Sequence, residues 1–202
     1  MPAEPTQVLL TRHGQSEWNA QGRWQGHADP PLSPLGMAQA AAAAPAVGPV
    51  DAVVASDLQR ARVTAEVIAG VLGVGPVVVD ARFRERAAGE WTGLTRHEID
   101  LAWPGYLEDG RRPPGFELDS DIIERVLEGL HAVHERWQGL RVLVVAHGGV
   151  VRAVERQLDL DDGLVGNLGA RWLAVHDSWI TPGERVSLVD PSQVSVTEPQ
   201  EL

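Results

Sequence analysis

The sequence contains no cysteine, and its 17 basic residues are all arginine, so lysine is missing as well. Without thiols there are no disulfides, no thiolate zinc site and no cysteine nucleophile of the phosphatase kind. Without lysine there is no Schiff-base catalysis and no P-loop lysine. Any anion site must therefore be built from arginine, histidine and backbone N–H groups. Long apolar runs are also missing, and none reaches the roughly 18 residues that a bilayer-spanning helix needs. Met1-Pro2-Ala3-Glu4-Pro5 carries neither a basic n-region nor an apolar h-region, so no secretory signal is expected and the default location is the cytoplasm. No solenoid-type repeat is present. A net charge of −11 argues against nucleic acid or an anionic membrane as partner. It leaves room for a small anionic substrate held by local arginines.

The 202 residues that are present suit a soluble globular chain, 44% hydrophobic and 22% charged. That length predicts a single domain over 1–202 with a substantial core. Strand and helix patterns alternate along it. Gln7–Leu10 reads as a buried strand, followed by an aperiodic loop over 18–30. Ser33-Pro34 starts a helix as N-cap and first-turn proline, and Pro45 is expected to end it. Asp51–Ala55 is the next strand, and Ser56 or Asp57 is expected to cap a helix running to Gly73. Val77–Val79 is a third strand, and Thr95 caps a short helix through Ile99 and Trp103. Ile122, Val126, Leu130 and Val133 mark a long helix over 121–137. His131 and His134 on that helix, with no third ligand in sight, read as a solvated face rather than a metal site. Arg141–Ala146 is an emphatic strand, a helix over 150–158 follows, and strand-like pieces fall at 172–175 and 186–189. Residues 191–202 are a polar tail expected to fray. The alternation predicts an α/β, three-layer sandwich with a central, mostly parallel sheet flanked by helices.

In such sheets, sites form beyond the carboxyl ends of the strands. Four positions of this kind carry chemistry. Arg12 and His13 follow the first strand, Arg60 opens the helix after the second, Glu85 lies past the third, and His147 follows the fourth between strand and Gly148-Gly149. Two imidazoles, two guanidiniums and a carboxylate are thus expected on one rim. Gly14, without a Cβ, permits a sharp turn or the close approach of a ligand. Trp18, Trp24, Trp91 and Trp103 are either pocket walls or core.

These residues lie in a pattern that resembles the histidine phosphatase superfamily, in its phosphoglycerate mutase-like branch. The matching pieces are Leu10-Thr11-Arg12-His13-Gly14 with Trp18-Asn19, Gly22-Arg23-Trp24-Gln25-Gly26, Leu35-Gly36, and Ser56-Asp57-Leu58-Gln59-Arg60-Ala61 with Thr64-Ala65. Glu85 with Gly89-Glu90-Trp91-Thr92-Gly93-Leu94 and Val145-Ala146-His147-Gly148-Gly149 complete it, in the family's order over residues 7 to 155. The resemblance implies a phosphohistidine nucleophile at His13 and a phosphoryl clamp of Arg12, Arg60 and His147. It implies that Glu85 is the general acid and base, a role that asks for a partly desolvated carboxyl of raised pKa. Asn19, Gln25 and Gly26 match positions that hold phosphate oxygens. No metal and no cofactor is called for.

The expected activity is hydrolysis of a small phosphorylated metabolite by a phosphatase-type member, with residues 84–118 as a variable lid over the site. Glu85-Arg86 is followed by Ala87-Ala88 and a Gly-x-Trp-x-Gly form, where the mutases carry a longer insertion with His-Tyr. Arg86, Arg96, Arg111 and Arg112 nevertheless fall where mutase cations lie, either to grip a second anionic group or as surface arginines. Pro114-Gly115-Phe116-Glu117-Leu118 departs from the family's usual Pro-Gly-Gly-Glu-Ser, which leaves that segment's substrate contacts unassigned. A phosphoglycerate mutase and a non-catalytic phosphate-binding module are the alternatives. A homodimer is a family-level expectation only.

Overall fold

A computed structural model describes residues 4–160, 163–190, 192 and 195. Six strands form one sheet in the order β3-β2-β4-β1-β5-β6. They are β1 (Thr6–Arg12), β2 (Ala52–Ala55), β3 (Val78–Val79), β4 (Arg141–Ala146), β5 (Gly169–Val175) and β6 (Ile180–Ser187). The first four in that order run parallel, and β5 and β6 close the other edge antiparallel, so the sheet is mixed. The helices are α1 (Glu17–Ala20), α2 (Pro34–Val47), α3 (Gln59–Leu72), α4 (Arg96–Ala102), α5 (Asp119–Arg136) and α6 (Gly148–Gln157).

Side chains alternate across a strand, so each central strand feeds two cores. Val8, Leu10, Val142 and Val144 pack under α5 and α6 with Ile122, Val126 and Val150. Leu9, Val53, Leu143 and Val145 point the other way, against Ala43, Ala65 and Ile68 of α2 and α3. This is the expected three-layer arrangement. No helix among the described residues is long and apolar enough to cross a membrane.

Several local expectations are corrected. Helix α2 continues through Pro45 to Val47. The amide bond that a proline forfeits would have reached back to residue 41, and Ala41 and Pro45 are both exposed, so the freed carbonyl is open to solvent rather than stranded in the core. Helix α3 takes no cap from Ser56 or Asp57. Ser56 is engaged with His147, and Asp57 with Arg84. A distant residue, Asp29, caps the helix instead, accepting from the Gln59 N–H at 2.6 Å. The last strand is Ile180–Ser187 rather than 186–189, since at a sheet edge Pro182 needs no N–H to give.

The long helix carries a further correction. His134 is buried, not solvated. Thr6 Oγ1 donates to the Trp137 carbonyl at 2.9 Å and meets His134 Nδ1 at 3.0 Å, while His134 Nε2 faces Asp177 at 3.1 Å. These contacts tie α5 to β1 and to the β5–β6 turn. The fraying tail predicted for 191–202 lies outside the described residues, apart from 192 and 195.

Candidate active site

The site follows from strand register. Strands β1 and β4 are parallel neighbours with Arg12 opposite Ala146, so His13 and His147 leave the sheet side by side. Their rings lie 5.1 Å apart, edge to face. Ala55 of β2 stands opposite Val145, which brings Ser56 against His147.

His13 is 2% exposed. Its Nδ1 lies 2.6 Å from the Gly14 carbonyl, which can only accept, so Nδ1 carries the ring proton and Nε2 keeps a lone pair. Burial, and then the charges of Arg60 and Arg12, hold the imidazole well below its usual pKa. A neutral His13 with a bare Nε2 is the state a nucleophile requires.

Arg12 and Arg60 are buried cations, each lowered by burial to about 10 and thus still charged at neutral pH, with Glu85 opposing the shift in both. Arg12 Nη1 donates to the Val165 carbonyl at 2.7 Å. Arg60 spans two loop carbonyls, Ala28 at 2.7 Å and Gly26 at 2.9 Å, and its buried Nε has no partner. Thr64 locks the same corner, accepting from the Gly14 N–H at 3.1 Å and donating to the Arg60 carbonyl at 2.7 Å.

His147 is fully buried and also held well below its usual pKa, first by burial and then by Arg60 and His13. Its Nε2 meets Ser56 Oγ at 2.9 Å, and its buried Nδ1 has no partner. Residues Gly148 and Gly149 form the first turn of α6. The structure starts this helix directly at the histidine, not at Val150 as the sequence pattern suggested.

Glu85 is half-buried. Its Oε1 accepts from the Arg86 N–H at 2.8 Å, and its Oε2 from the Gly149 N–H at 3.3 Å. Its own carbonyl meets His27 Nε2 at 2.8 Å and Arg125 at 3.2 Å, which fixes the backbone behind the carboxylate. The flanking arginines do not neutralise it, because Arg84 pairs with Asp57 and Arg86 with Asp119.

A cavity of about 320 Å³ opens over this cluster. Arg12, His13, Asn19, Gln25, Gly26, Glu85 and Arg86 all line it, whereas Arg60 and His147, fully buried, are not among its lining residues. Two amides are oriented by their neighbours. Asn19 Oδ1 accepts from the Ser16 N–H at 3.1 Å, and Gln25 Oε1 from Ser16 Oγ at 2.8 Å. With both oxygens engaged, each side chain has its NH₂ donors left for a ligand.

The structure divides the ambiguous residues. Arg112 lines the cavity beside Arg86, while Arg96 and Arg111 do not, and Arg111 instead pairs with Asp109 and stacks on Tyr106. Trp24 is a wall, while Trp91 is fully buried behind it at 5.2 Å between rings. The space at Gly14 is taken by the chain itself, since a Cβ there would sit 2.6 Å from the Gly36 carbonyl at the start of α2.

Sequence reasoning missed Asn167 and three cavity-lining residues, Arg152, Arg156 and Asp119. Asn167 is buried and donates to the His13 carbonyl at 3.0 Å, and no local pattern marks it. It arrives because the segment leading into β5 folds back on β1, with the Leu168 N–H on the Arg12 carbonyl at 3.2 Å. Arg152 and Arg156 line the cavity from α6. Their spacing of four from Gly148 was a usable signal, for it puts all three on one helix face. Asp119, at the start of α5, also reaches the cavity.

The chain is 38% identical over 165 residues to a glucosyl-3-phosphoglycerate phosphatase of Mycolicibacterium vanbaalenii, covering 75% of this chain and 73% of the relative. It is 35% identical over 162 residues to a metal-independent phosphoserine phosphatase of Arabidopsis thaliana, covering 75% and 68%. Among solved structures, mycobacterial glucosyl-3-phosphoglycerate phosphatase complexed with VO3 superposes with a TM-score of 0.77 at 32% identity, over 88% of this chain and 97% of that one. Residues 8–164 match the family model of the histidine phosphatase superfamily, branch 1, and the chain belongs to that family.

Proposed function

We propose that the protein is a phosphomonoesterase that hydrolyses small phosphorylated metabolites, without a metal, through a phosphohistidine at His13. In the first step the His13 Nε2 lone pair attacks phosphorus in line. The P–N bond forms, the ester P–O bond breaks, and Glu85 gives its proton to the departing oxygen. In the second, water attacks phosphorus, Glu85 takes a proton from it, and the P–N bond breaks to release inorganic phosphate.

Phosphoryl transfer depends mostly on positioning and charge, so guanidiniums can serve where other enzymes use a metal. Arg12 and Arg60 would hold the phosphoryl oxygens from buried positions with little reorganisation, and the amides of Asn19 and Gln25 would add neutral donors. The unpartnered Nδ1 of His147 and Nε of Arg60 are buried groups for which a phosphoryl oxygen would supply the missing partner.

The observation that carries the reading is the pairing of a neutral, tautomer-fixed His13 with a carboxylate held at the same cavity by backbone N–H groups. A binding module has no use for that carboxylate. The relatives named above are phosphatases, and the Ala87-Ala88 sequence after Glu85-Arg86 favours hydrolysis over mutase transfer. The reading also places the protein in the cytoplasm, with neither nucleic acid nor membrane as partner, in keeping with its acidic net charge. A homodimer is the family-level part of the reading, and sedimentation checks it.

A panel of phosphomonoesters assayed in the presence of a chelator tests the activity. Turnover that survives the chelator is expected. Binding without hydrolysis across the panel would instead indicate a binding module. Exchange between 3- and 2-phosphoglycerate would indicate a mutase.

A further inference from the structure

Glu85 sits on a stretch that neither a strand nor a long helix fixes. Residues 84–88 lie between two short 3₁₀ turns, Ala81–Phe83 and Gly89–Trp91. Of the bonds to the Glu85 carboxylate, the one from the Arg86 N–H moves with this same stretch. The stretch is held from outside by two residues to which the proposed reaction gives no part. Glu117 follows the cavity-lining Phe116, and Arg125 stands on α5, yet neither is among the lining residues of the cavity.

Arg125 commits all five N–H donors of its guanidinium. Nη1 reaches the Arg82 carbonyl at 2.7 Å and the Arg84 carbonyl at 2.8 Å. Nη2 reaches the Glu85 carbonyl at 3.2 Å and Glu117 Oε2 at 2.9 Å, while Nε closes the fork on Glu117 Oε1 at 2.7 Å. Glu117 holds the chain on the other side of Glu85. Its Oε2 accepts from the Ala87 N–H at 3.0 Å, and its own N–H donates to the Ala87 carbonyl at 3.0 Å. Its carbonyl accepts from Arg86 Nη1 at 2.9 Å. The peptide groups before and after Glu85 are thus bound to one ion pair, whose side chains are only 21% and 13% exposed. Burial opposes the Glu117 charge, but the bonds from Arg125 and Ala87 hold its carboxyl below the usual range, so it stays ionised against Arg125.

We infer that Arg125 and Glu117 are positioning residues for the general acid, holding the Glu85 backbone so that its carboxyl meets the leaving oxygen of an ester bound at His13. This rests on the phosphatase reading, in which Glu85 gives that oxygen its proton. A working group on irregular chain has to be locked by its supports, and a displacement of about 1 Å is enough to cost about 10²-fold in rate. Glu117 then has a task behind the site rather than a contact with substrate.

Single-turnover cleavage of an alkyl phosphate and of p-nitrophenyl phosphate tests this, with enzyme in excess so that the first phosphoryl transfer is read. The alkyl ester needs its leaving oxygen protonated, and the aryl ester hardly does. Arg125→Gln should slow transfer from the alkyl ester by about 10- to 100-fold and from the aryl ester by less than threefold. The affinity of either ester should change by less than threefold. That is the pattern of Glu85→Gln in smaller measure. Arg125→Lys keeps the charge but offers three donors in place of five, and should stay at least fivefold slow on the alkyl ester. Glu117→Gln is isosteric and keeps an oxygen for Ala87, so it carries the test if Arg125→Gln does not fold, with a selective loss of threefold or more expected. The proposal is overturned by equal losses on the two esters, by unchanged transfer in the variants, or by Arg125→Lys at the wild-type rate. It is equally overturned if Arg125→Gln and Glu117→Gln both fail to fold, which would assign the pair to the fold alone, or if the wild-type protein cleaves the aryl ester only. A wild-type protein that cleaves neither ester sinks the phosphatase reading first, and this inference with it.

Discussion

Gly149 donates its backbone N–H to Oε2 of Glu85, and a Cβ placed on Gly149 would collide with Oε1 of the same carboxylate. The glycine leaves room for the Glu85 carboxylate to approach the helix backbone closely, in a conformation that any residue could otherwise adopt. Gly149→Ala should push Glu85 off the site and lower kcat for an alkyl phosphate by about 10²-fold, the lower end of what general acid catalysis contributes. Hydrolysis of p-nitrophenyl phosphate, whose leaving group needs little protonation, should suffer much less. Equal losses on both esters would argue against Glu85 as the acid.

Ser56 faces His147 Nε2 at 2.9 Å and also accepts from the Leu58 N–H at 3.3 Å. Its hydroxyl proton is free to go to Nε2, which leaves the His147 ring proton on the unpartnered Nδ1. Ser56→Ala should release that tautomer and reduce kcat/KM by 10- to 100-fold, the range seen for residues that orient a working histidine. Nitrogen NMR of the imidazole would show the shift from one tautomer to a mixture. A variant with unchanged tautomer and unchanged kinetics would remove Ser56 from the mechanism.

His13 and His147 have folded pKa values below the unfolded value of about 6.5. Above that pH both states bind no proton and the groups are silent. Below it the unfolded chain takes up protons that the folded protein refuses, so stability falls as pH drops, by about 1.4 kcal/mol per pH unit for each histidine. The loss should begin near pH 6.5, ahead of the acid loss from Asp57, Asp80 and Glu117. Those carboxylates are lowered from ordinary values of 3.8 to 4.5, so their contribution is full above that range and is lost only as pH falls through and below it. Denaturant unfolding between pH 7 and 5 checks this, and His147→Gln should make the slope shallower. A flat profile would contradict the buried, neutral assignment.

Arg60 is not replaceable by another cation. Its two Nη groups span the Gly26 and Ala28 carbonyls, and lysine has no fork to do so. Arg60→Lys should lose at least 10²-fold in kcat/KM and destabilise the fold by about 1–3 kcal/mol through a carbonyl left unpaired. Activity within threefold of wild type would show that charge alone suffices.

Much of this was legible beforehand, and the reasons are physical. Strand Arg141–Ala146 is legible at both ends because an apolar β-branched run stops at a histidine. Ser33 and Thr95 are legible as caps because the local chain satisfies them, through the Gly36 and Glu98 N–H groups. The reading failed where tertiary contacts outrank local ones. Ser56 and Asp57 look like caps and instead serve His147 and Arg84. His134 looks like surface but meets Thr6 from β1. In the site, the groups that directly follow strands β1 and β4 were visible from motif and position. Asn167 was invisible because only the antiparallel return of β5 brings it to His13.

The central claim is that His13 carries the phosphoryl group between the two steps. It is tested most directly by mixing enzyme and p-nitrophenyl phosphate, quenching in alkali within milliseconds, and locating the bound phosphate by phosphorus NMR and peptide mass spectrometry. The account predicts one phosphoryl group per chain at most, on Nε2 of His13, stable in alkali, lost in acid and missing from His13→Asn. Turnover with no phosphohistidine at any time point, or full turnover by His13→Asn, would contradict it.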